Sequence, residues 1–162
     1  MSTEDIHELK ETLEVEVNTP GHPPRTTSSL FKRSKKALFT LSTALSFHPP
    51  MGRCFICNKT QEELGEPLEA HHFQIEWSFG DGPIDWDLVK EDNPNFDWDS
   101  FDPNDPYKFV DNMTAQGVLL CKKHHTGKGT GIHNIPFGLW IMQRYLKAGY
   151  VFNEYEVIEH AD

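Results

Sequence analysis

Cys54 and Cys57 are separated by two residues, and the pair His71-His72 follows fourteen residues after Cys57. A second group, Cys121-Lys-Lys-His124-His125, is followed by His133. Together these eight side chains include every cysteine of the chain. Thiolate and imidazole are the preferred donors for zinc, and a closed structural site takes four of them. Eight candidates exceed one tetrahedral site. The surplus predicts a structural metal beside a second, differently occupied site.

Cys54, Cys57, Cys121 and His124 make the four-ligand set, two short knuckles joined by a long insertion. Such a site supplies folding free energy that a thin core needs. His125 is the alternative to His124, and buried, unligated thiols are the plainer reading of the cysteines. Removing the four leaves His71, His72, His125 and His133. One histidine of the first pair could hold a divalent cation while the other stays free as a base, because an imidazole titrates near neutrality. A cation so held would polarise a phosphate oxygen and stabilise the leaving oxygen. The plainer alternative is a set of solvated or hydrogen-bonded histidines.

The elements that must position these groups are short. Leu68 to Ile75 suits a strand, on which His71 and His72 point to opposite faces and share a cleft only if the strand end twists. Gly117-Val-Leu-Leu-Cys121 leads into the second knuckle, and Gly127, Gly129 and Gly131 must fold the chain back to deliver His133. Pro136 to Lys147 reads as a helix that opens near a proline, ends by Gly149 and packs Phe137 and Trp140 into the core. Upstream, a short helix is expected around Ile6, Leu9 and Leu13, and another from about Ser28 to Ser46. Thr19 to Pro24 and His48-Pro-Pro50 break them. Residues 1–50 thus form an N-terminal arm, partly helical, and 51–162 the metal-binding domain. The tail Tyr150–Ile158 is expected as an edge strand.

Hydrophobic residues are 37% of the 162, and the net charge is −10. That acidity argues against a general nucleic-acid-binding coat. It is unevenly spread, however. Residues 81–111 hold ten Asp or Glu and two Lys, a net of −8, whereas Arg25 to Lys36 holds five basic residues and no acid. The acidic stretch is rich in Gly, Pro, Asn and Asp and is expected to be an irregular, solvated loop anchored locally by Trp86 and Trp98. It lacks the spacing of an EF-hand. Shielding of a basic cleft, or binding of a protein partner, is its functional alternative. Arg53, Lys122, Lys123, Lys128 and the Arg25–Lys36 segment could form a phosphate-binding rim. Thr126-Gly-Lys-Gly-Thr130 lacks the full spacing of a nucleotide-binding loop. Three cysteines grouped as metal ligands suit a reducing compartment, so an intracellular, cytoplasmic protein is expected. No stretch of the sequence reaches the length of a membrane span, and the N-terminus has no secretory pattern.

The order Cys54-x2-Cys57, Leu68-Glu-Ala-His-His-Phe, Leu119-Leu-Cys-x2-His-His125 and Gly131-Ile-His133 resembles the HNH endonuclease family, in its zinc-stabilised bacterial and phage subset. The resemblance covers about residues 51–148. It implies an α+β fold with a small zinc-bound, treble-clef-like ββα-metal core, here with an N-terminal helical arm and an acidic insertion. It also implies cleavage of DNA phosphodiester bonds, with double-stranded DNA as partner, to give 5′ phosphate and 3′ hydroxyl ends. On this chain His71, His125 and His133 become ligands of a catalytic Mg²⁺, Mn²⁺ or Ni²⁺. His72 becomes the general base, and Cys54, Cys57, Cys121 and His124 become the structural Zn²⁺ set. The family's central asparagine falls to Asn112, thirteen residues before His125, or its role passes to Gln116. The alternative function is a non-enzymatic zinc module that binds DNA or protein through the same scaffold. A zinc hydrolase or oxidoreductase of small molecules has no accompanying pocket motif.

Overall fold

A computed structural model describes residues 28–40 and 52–147. The expected helix near Ile6, the breaks at 19–24 and 48–50, the stretch 41–46 and the tail strand at 150–158 lie outside those residues. Within them the chain is α+β, with a two-stranded sheet and short helices. None of the described helices is long and apolar enough to cross a membrane.

The sheet pairs β1 (Glu69–His72) with β2 (Gly117–Leu120) antiparallel, with Glu69 opposite Leu120 and His72 opposite Gly117. β2 is an unbroken apolar run and is buried along its whole length. Such a run marks a strand covered on both faces. Its cover comes from two directions. On one side is the first knuckle, whose Phe55 N–H donates to the Leu119 carbonyl at 2.8 Å. On the other is the helix α5 (Met113–Gln116), with Met113 fully buried. The core joins Leu38, Cys54, Phe55, Ile56, Leu68, Val118, Leu120, Cys121 and Trp140.

Helix α1 (Ser29–Ala37) opens where the sequence places it, with Ser28 Oγ accepting from the Phe31 N–H at 3.1 Å. Lys35 and Lys36 in its last turn suit the negative end of the helix dipole. The described part of the arm packs on the core. Ser34 is buried, accepts from the Met113 N–H at 2.9 Å and lies 3.1 Å from the Asp111 carbonyl. Helix α2 (Gln61–Leu64) is opened by a reciprocal cap between Thr60 and Glu63. That pair is a readable Thr-x-x-Glu signal.

Residues 73–116 leave the sheet between its two strands and are more ordered than their composition suggests. They contain α3 (Trp86–Asp92), α4 (Tyr107–Val110), α5 and two 3₁₀ turns, at Trp77–Phe79 and Trp98–Ser100. Asp85 caps α3 by accepting from the Leu88 N–H at 3.1 Å. The expected irregular loop is therefore a small aromatic subdomain. Phe109 is fully buried, with Trp98 stacked on it at 5.3 Å and Trp86 and Phe96 edge-on at 5.9 and 5.1 Å. Ile84, Ile75 and Val110 complete this second cluster. The acidic side chains fit the same segment because Asp81, Asp85, Asp87, Asp97, Asp99, Asp102 and Asp105 all stay exposed.

Helix α7 (Phe137–Met142) is shorter than the expected Pro136–Lys147 and passes into a 3₁₀ turn at Gln143–Tyr145. Only part of its expected packing face is inside. Trp140 is fully buried and donates through Nε1 to the His124 carbonyl at 2.7 Å, while Phe137 is 56% exposed. The one-turn difference in depth follows from Pro136 capping the helix at the surface.

Replacing Phe109 with Ala would remove the ring at the centre of the aromatic cluster. Truncations of this size cost about 3–5 kcal/mol, and the same is expected here in urea unfolding, with a loss of near-ultraviolet aromatic dichroism. A change below about 1 kcal/mol with an unaltered spectrum would show that the insertion does not depend on this cluster.

Candidate metal centres

The first knuckle is a tight turn. The Cys54 N–H donates to the Lys59 carbonyl at 2.9 Å and the Asn58 N–H to the Cys54 carbonyl at 2.8 Å. Asn58 takes a left-handed φ of 59°, which asparagine tolerates better than most residues. The second knuckle is built by β2 running into α6 (Lys122–His125), with Cys121 at the N-cap and both the His124 and His125 N–H groups returning to its carbonyl. Cys54, Cys57, Cys121 and His124 thereby converge, with their donor atoms within 4.8 Å of one another, and can hold a metal ion.

The distances fit a tetrahedral ion. Two thiolates bound to zinc at about 2.3 Å sit about 3.8 Å apart across a tetrahedral edge. Cys54 Sγ and Cys121 Sγ are 3.8 Å apart, and His124 presents Nδ1 at 3.1 Å from Cys121. All three cysteines are free of disulfides. Without a cation the thiols share protons unequally. Hydrogen bonds from Cys121 and then Cys57 hold the Cys54 thiol far below its usual pKa, although burial opposes this. The same contacts, with Cys54 first, push Cys121 upward. Burial disfavours charge on His124, but the Cys54 and Cys57 sulfurs outweigh it and raise its pKa. A divalent cation would replace these protons and neutralise the accumulated negative charge.

The second group is a triangle of imidazoles. His71 from β1, His125 from the end of α6 and His133 from the following loop also place donor atoms within 4.8 Å. Their ring centroids are 5.4, 4.9 and 4.9 Å apart. His71 and His125 are buried and His133 is exposed, so this centre opens to solvent on one side. The return of His133 depends on glycine. A Cβ on Gly127 would collide with the Lys123 carbonyl oxygen and one on Gly131 would lie 2.7 Å from His125 O, and Gly129 has φ +71°. The folded-back segment then pairs the His133 N–H with the His125 carbonyl at 3.3 Å.

Glu69 orients this centre. Its carboxylate lies 2.5 Å from His125 Nδ1. A carboxylate only accepts, so the ring carries its proton on Nδ1 and turns the Nε2 lone pair inward. His125 Nε2 is 3.1 Å from His133 Nε2. Glu76, after β1, places Oε1 3.5 Å from His71 Nε2. Glu69 had a signal that went unused, since it stands two residues before His71 and so shares its strand face, whereas Glu76 had none.

His72 does not join the triangle. Strand alternation sends it to the other face, where it is 2% exposed, and Phe31 of α1 stacks on it at 5.5 Å. Its Nε2 lies 3.0 Å from Asp111 Oδ1, and its Nδ1 is buried without a hydrogen-bond partner. Asp111 was not foreseen, although it is adjacent to Asn112. Asn112 caps α5, its Oδ1 accepting from the Thr114 N–H at 3.1 Å and from Thr114 Oγ1 at 2.6 Å. Gln116 is fully buried and ties the strand exit together. Its Oε1 accepts from the Ile75 N–H at 2.7 Å, and its Nε2 donates to Val110 O at 2.6 Å and Ile75 O at 3.0 Å. In this structure the partner of His72 is therefore Asp111, and both amides serve the backbone.

The two centres are expected to separate on mutation. Cys57→Ser should lose metal from the four-donor site and with it much of the folded population. His133→Ala should keep one tightly bound metal and its circular dichroism, losing only the second, weaker ion. Elemental analysis with thermal melts on both variants checks this; equal metal loss in the two would merge the sites.

No protein-family model, curated protein or solved structure matches this chain. Its functional reading therefore stands on the two centres themselves.

Proposed function

We propose that this chain is a metal-dependent endonuclease hydrolysing DNA phosphodiester bonds, with a structural zinc at Cys54, Cys57, Cys121 and His124. The observation that carries it is the triangle of His71, His125 and His133, open to solvent at His133 beside a closed four-donor centre. Three protein ligands with an open side are the pattern of a catalytic site, whereas four donors are that of a structural one. The pairing of β1 and β2 with α6 beneath the imidazoles is also the order of elements that a ββα-metal core requires.

A divalent cation bound there would supply Lewis-acid stabilisation of charge on a phosphoryl oxygen and the leaving oxygen. The chain's own groups do the rest. Glu69 fixes the His125 tautomer, and burial holds the His71 ring in place. Lys122 and Lys123 on α6, with Lys128 after it, are exposed next to the centre in an otherwise acidic chain. They give a phosphate backbone a local positive edge. His72 is assigned as the base and Asp111 as the group that holds its Nε2–H, leaving Nδ1 to take a proton. In the structure Phe31 covers that ring on the face away from the triangle, so the base role requires both that α1 move off it and that the end of β1 twist toward the imidazoles.

The same cover favours a second reading, a zinc module that binds DNA or protein without cutting. Plasmid assays separate the two. Wild-type protein with Mg²⁺, Mn²⁺ or Ni²⁺ should nick or linearise supercoiled DNA, and His71→Ala should abolish this. His72→Ala should retain both metals and lower cleavage by about 10²–10⁴-fold, the usual contribution of a general base. Undiminished cleavage in His72→Ala would reduce that residue to packing. No cleavage by folded, fully metallated wild type would leave the binding module.

A further inference from the structure

An apolar groove lies at the seam between the two hydrophobic clusters and shares no residue with either metal centre. Phe73, which packs on the first cluster, and Ile75, which belongs to the second, line it with Leu88, Val89 and Phe137. It holds about 330 Å³ and opens to solvent. Its walls are joined at one end, where Asn93 Nδ2 donates to Gln74 Oε1 at 2.8 Å and ties α3 to the exit of β1. We propose that this groove is the docking site for a segment of a protein partner that offers one bulky apolar side chain flanked by Lys or Arg.

The apolar anchor is called for by two side chains left largely outside both clusters. Helix α3 packs on the Phe109 cluster through Trp86 and Val89, which leaves Leu88 54% exposed. Phe137, at the surface end of α7, is also more than half exposed, and its ring lies 6.2 Å from that of Phe73. A single exposed leucine is ordinary, but two large apolar side chains lining one groove with a polar rim mark a site for a partner. The basic flanks are called for by that rim. Residues 85–92 carry four carboxylates, Asp85, Asp87, Glu91 and Asp92, against the single Lys90, and all five side chains are exposed. Asp87, Glu91 and Asp92 have no ion-pair partner among the described residues. A phosphate backbone would be repelled there, whereas a cationic segment would be steered in. An apolar anchor inside a charged border is the usual anatomy of a protein interface.

Panning a random peptide display library against the zinc-loaded full-length protein tests this, with the recovered peptides synthesised and measured by fluorescence anisotropy. They should share a bulky apolar residue beside Lys or Arg, and their affinity should fall as salt rises. Leu88→Ala combined with Phe137→Ala trims two side chains that are more than half exposed. The thermal melt should therefore stay unchanged while the peptides bind at least about tenfold more weakly. Asp87→Asn, Glu91→Gln and Asp92→Asn together should remove most of the salt dependence and keep the apolar preference. A library that yields no binder, or binders held equally well after Leu88→Ala and Phe137→Ala, would overturn the docking site. Recovered peptides without basic residues would overturn the class of partner. Wild-type copies that associate in sedimentation, and separate when Leu88 and Phe137 are replaced, would overturn it in favour of a second copy of this chain.

Discussion

The convergence of Cys54, Cys57, Cys121 and His124 is the constraint on which the other features depend. Cys54 and Cys121 are 67 residues apart in sequence and 3.8 Å apart at their sulfurs. Closing so long a loop costs entropy that grows only slowly with its length, and a metal bound by four donors offsets it at one point. The consequence reaches the second centre through α6. His124 and His125 are neighbours on a single turn and so differ by about 100° in direction. One enters the four-donor cluster and the other the imidazole triangle. Anchoring His124 thus sets where His125 points, and Trp140 secures the turn by donating to the His124 carbonyl.

A long excursion between two paired strands usually weakens their register. Here the excursion has its own core, and its exits are tied. Ile75 and Val110, near the two ends, both belong to the aromatic cluster around Phe109. Gln116 bonds the backbone of both residues from beneath. The pairing of His71 with Val118 can then persist although residues 73–116 intervene. Acidic composition and an ordered interior do not conflict in this segment, because the aromatics around Phe109 face inward and the carboxylates other than Asp111 face water.

How much of this was legible follows from the kind of signal each feature leaves. Metal donors are rare residue types, and two short spacings sufficed to group Cys54, Cys57, Cys121 and His124, whereas the choice of His71, His125 and His133 from the remaining histidines came with the family resemblance. The glycines at 127, 129 and 131 announced a fold-back, and the structure has one. Carboxylates carry no such mark. Glu69, Glu76 and Asp111 are three among 25 acidic residues, and only the strand register and tertiary packing select them. The insertion was misjudged because Gly, Pro, Asn and Asp punctuation hides a core built from aromatics at irregular spacing. Asn112 entered as a site residue only through the resemblance, which puts the family's central asparagine there. Its local use as a cap, which asparagine often fills, is equally consistent with the sequence.

Dependence between the two centres runs mainly one way. His71 is held by the sheet and His125 by the turn that the cysteines anchor, so both are positioned before any ion reaches the triangle. His133 alone comes from a glycine-rich return and stands at the surface. The open centre is thus assembled from two rigid donors and one adaptable one. Such a division suits an ion that must exchange ligands, since coordination can change at His133 without disturbing β1 or α6. The four-donor cluster has no comparable freedom. Cys54 and Cys121 are fully buried and His124 nearly so, and any movement there would displace the first strand contact, the α6 turn and Trp140 together. An exchangeable ion would therefore sit on the open, histidine side of the molecule, and the fold's tie on the closed, cysteine side.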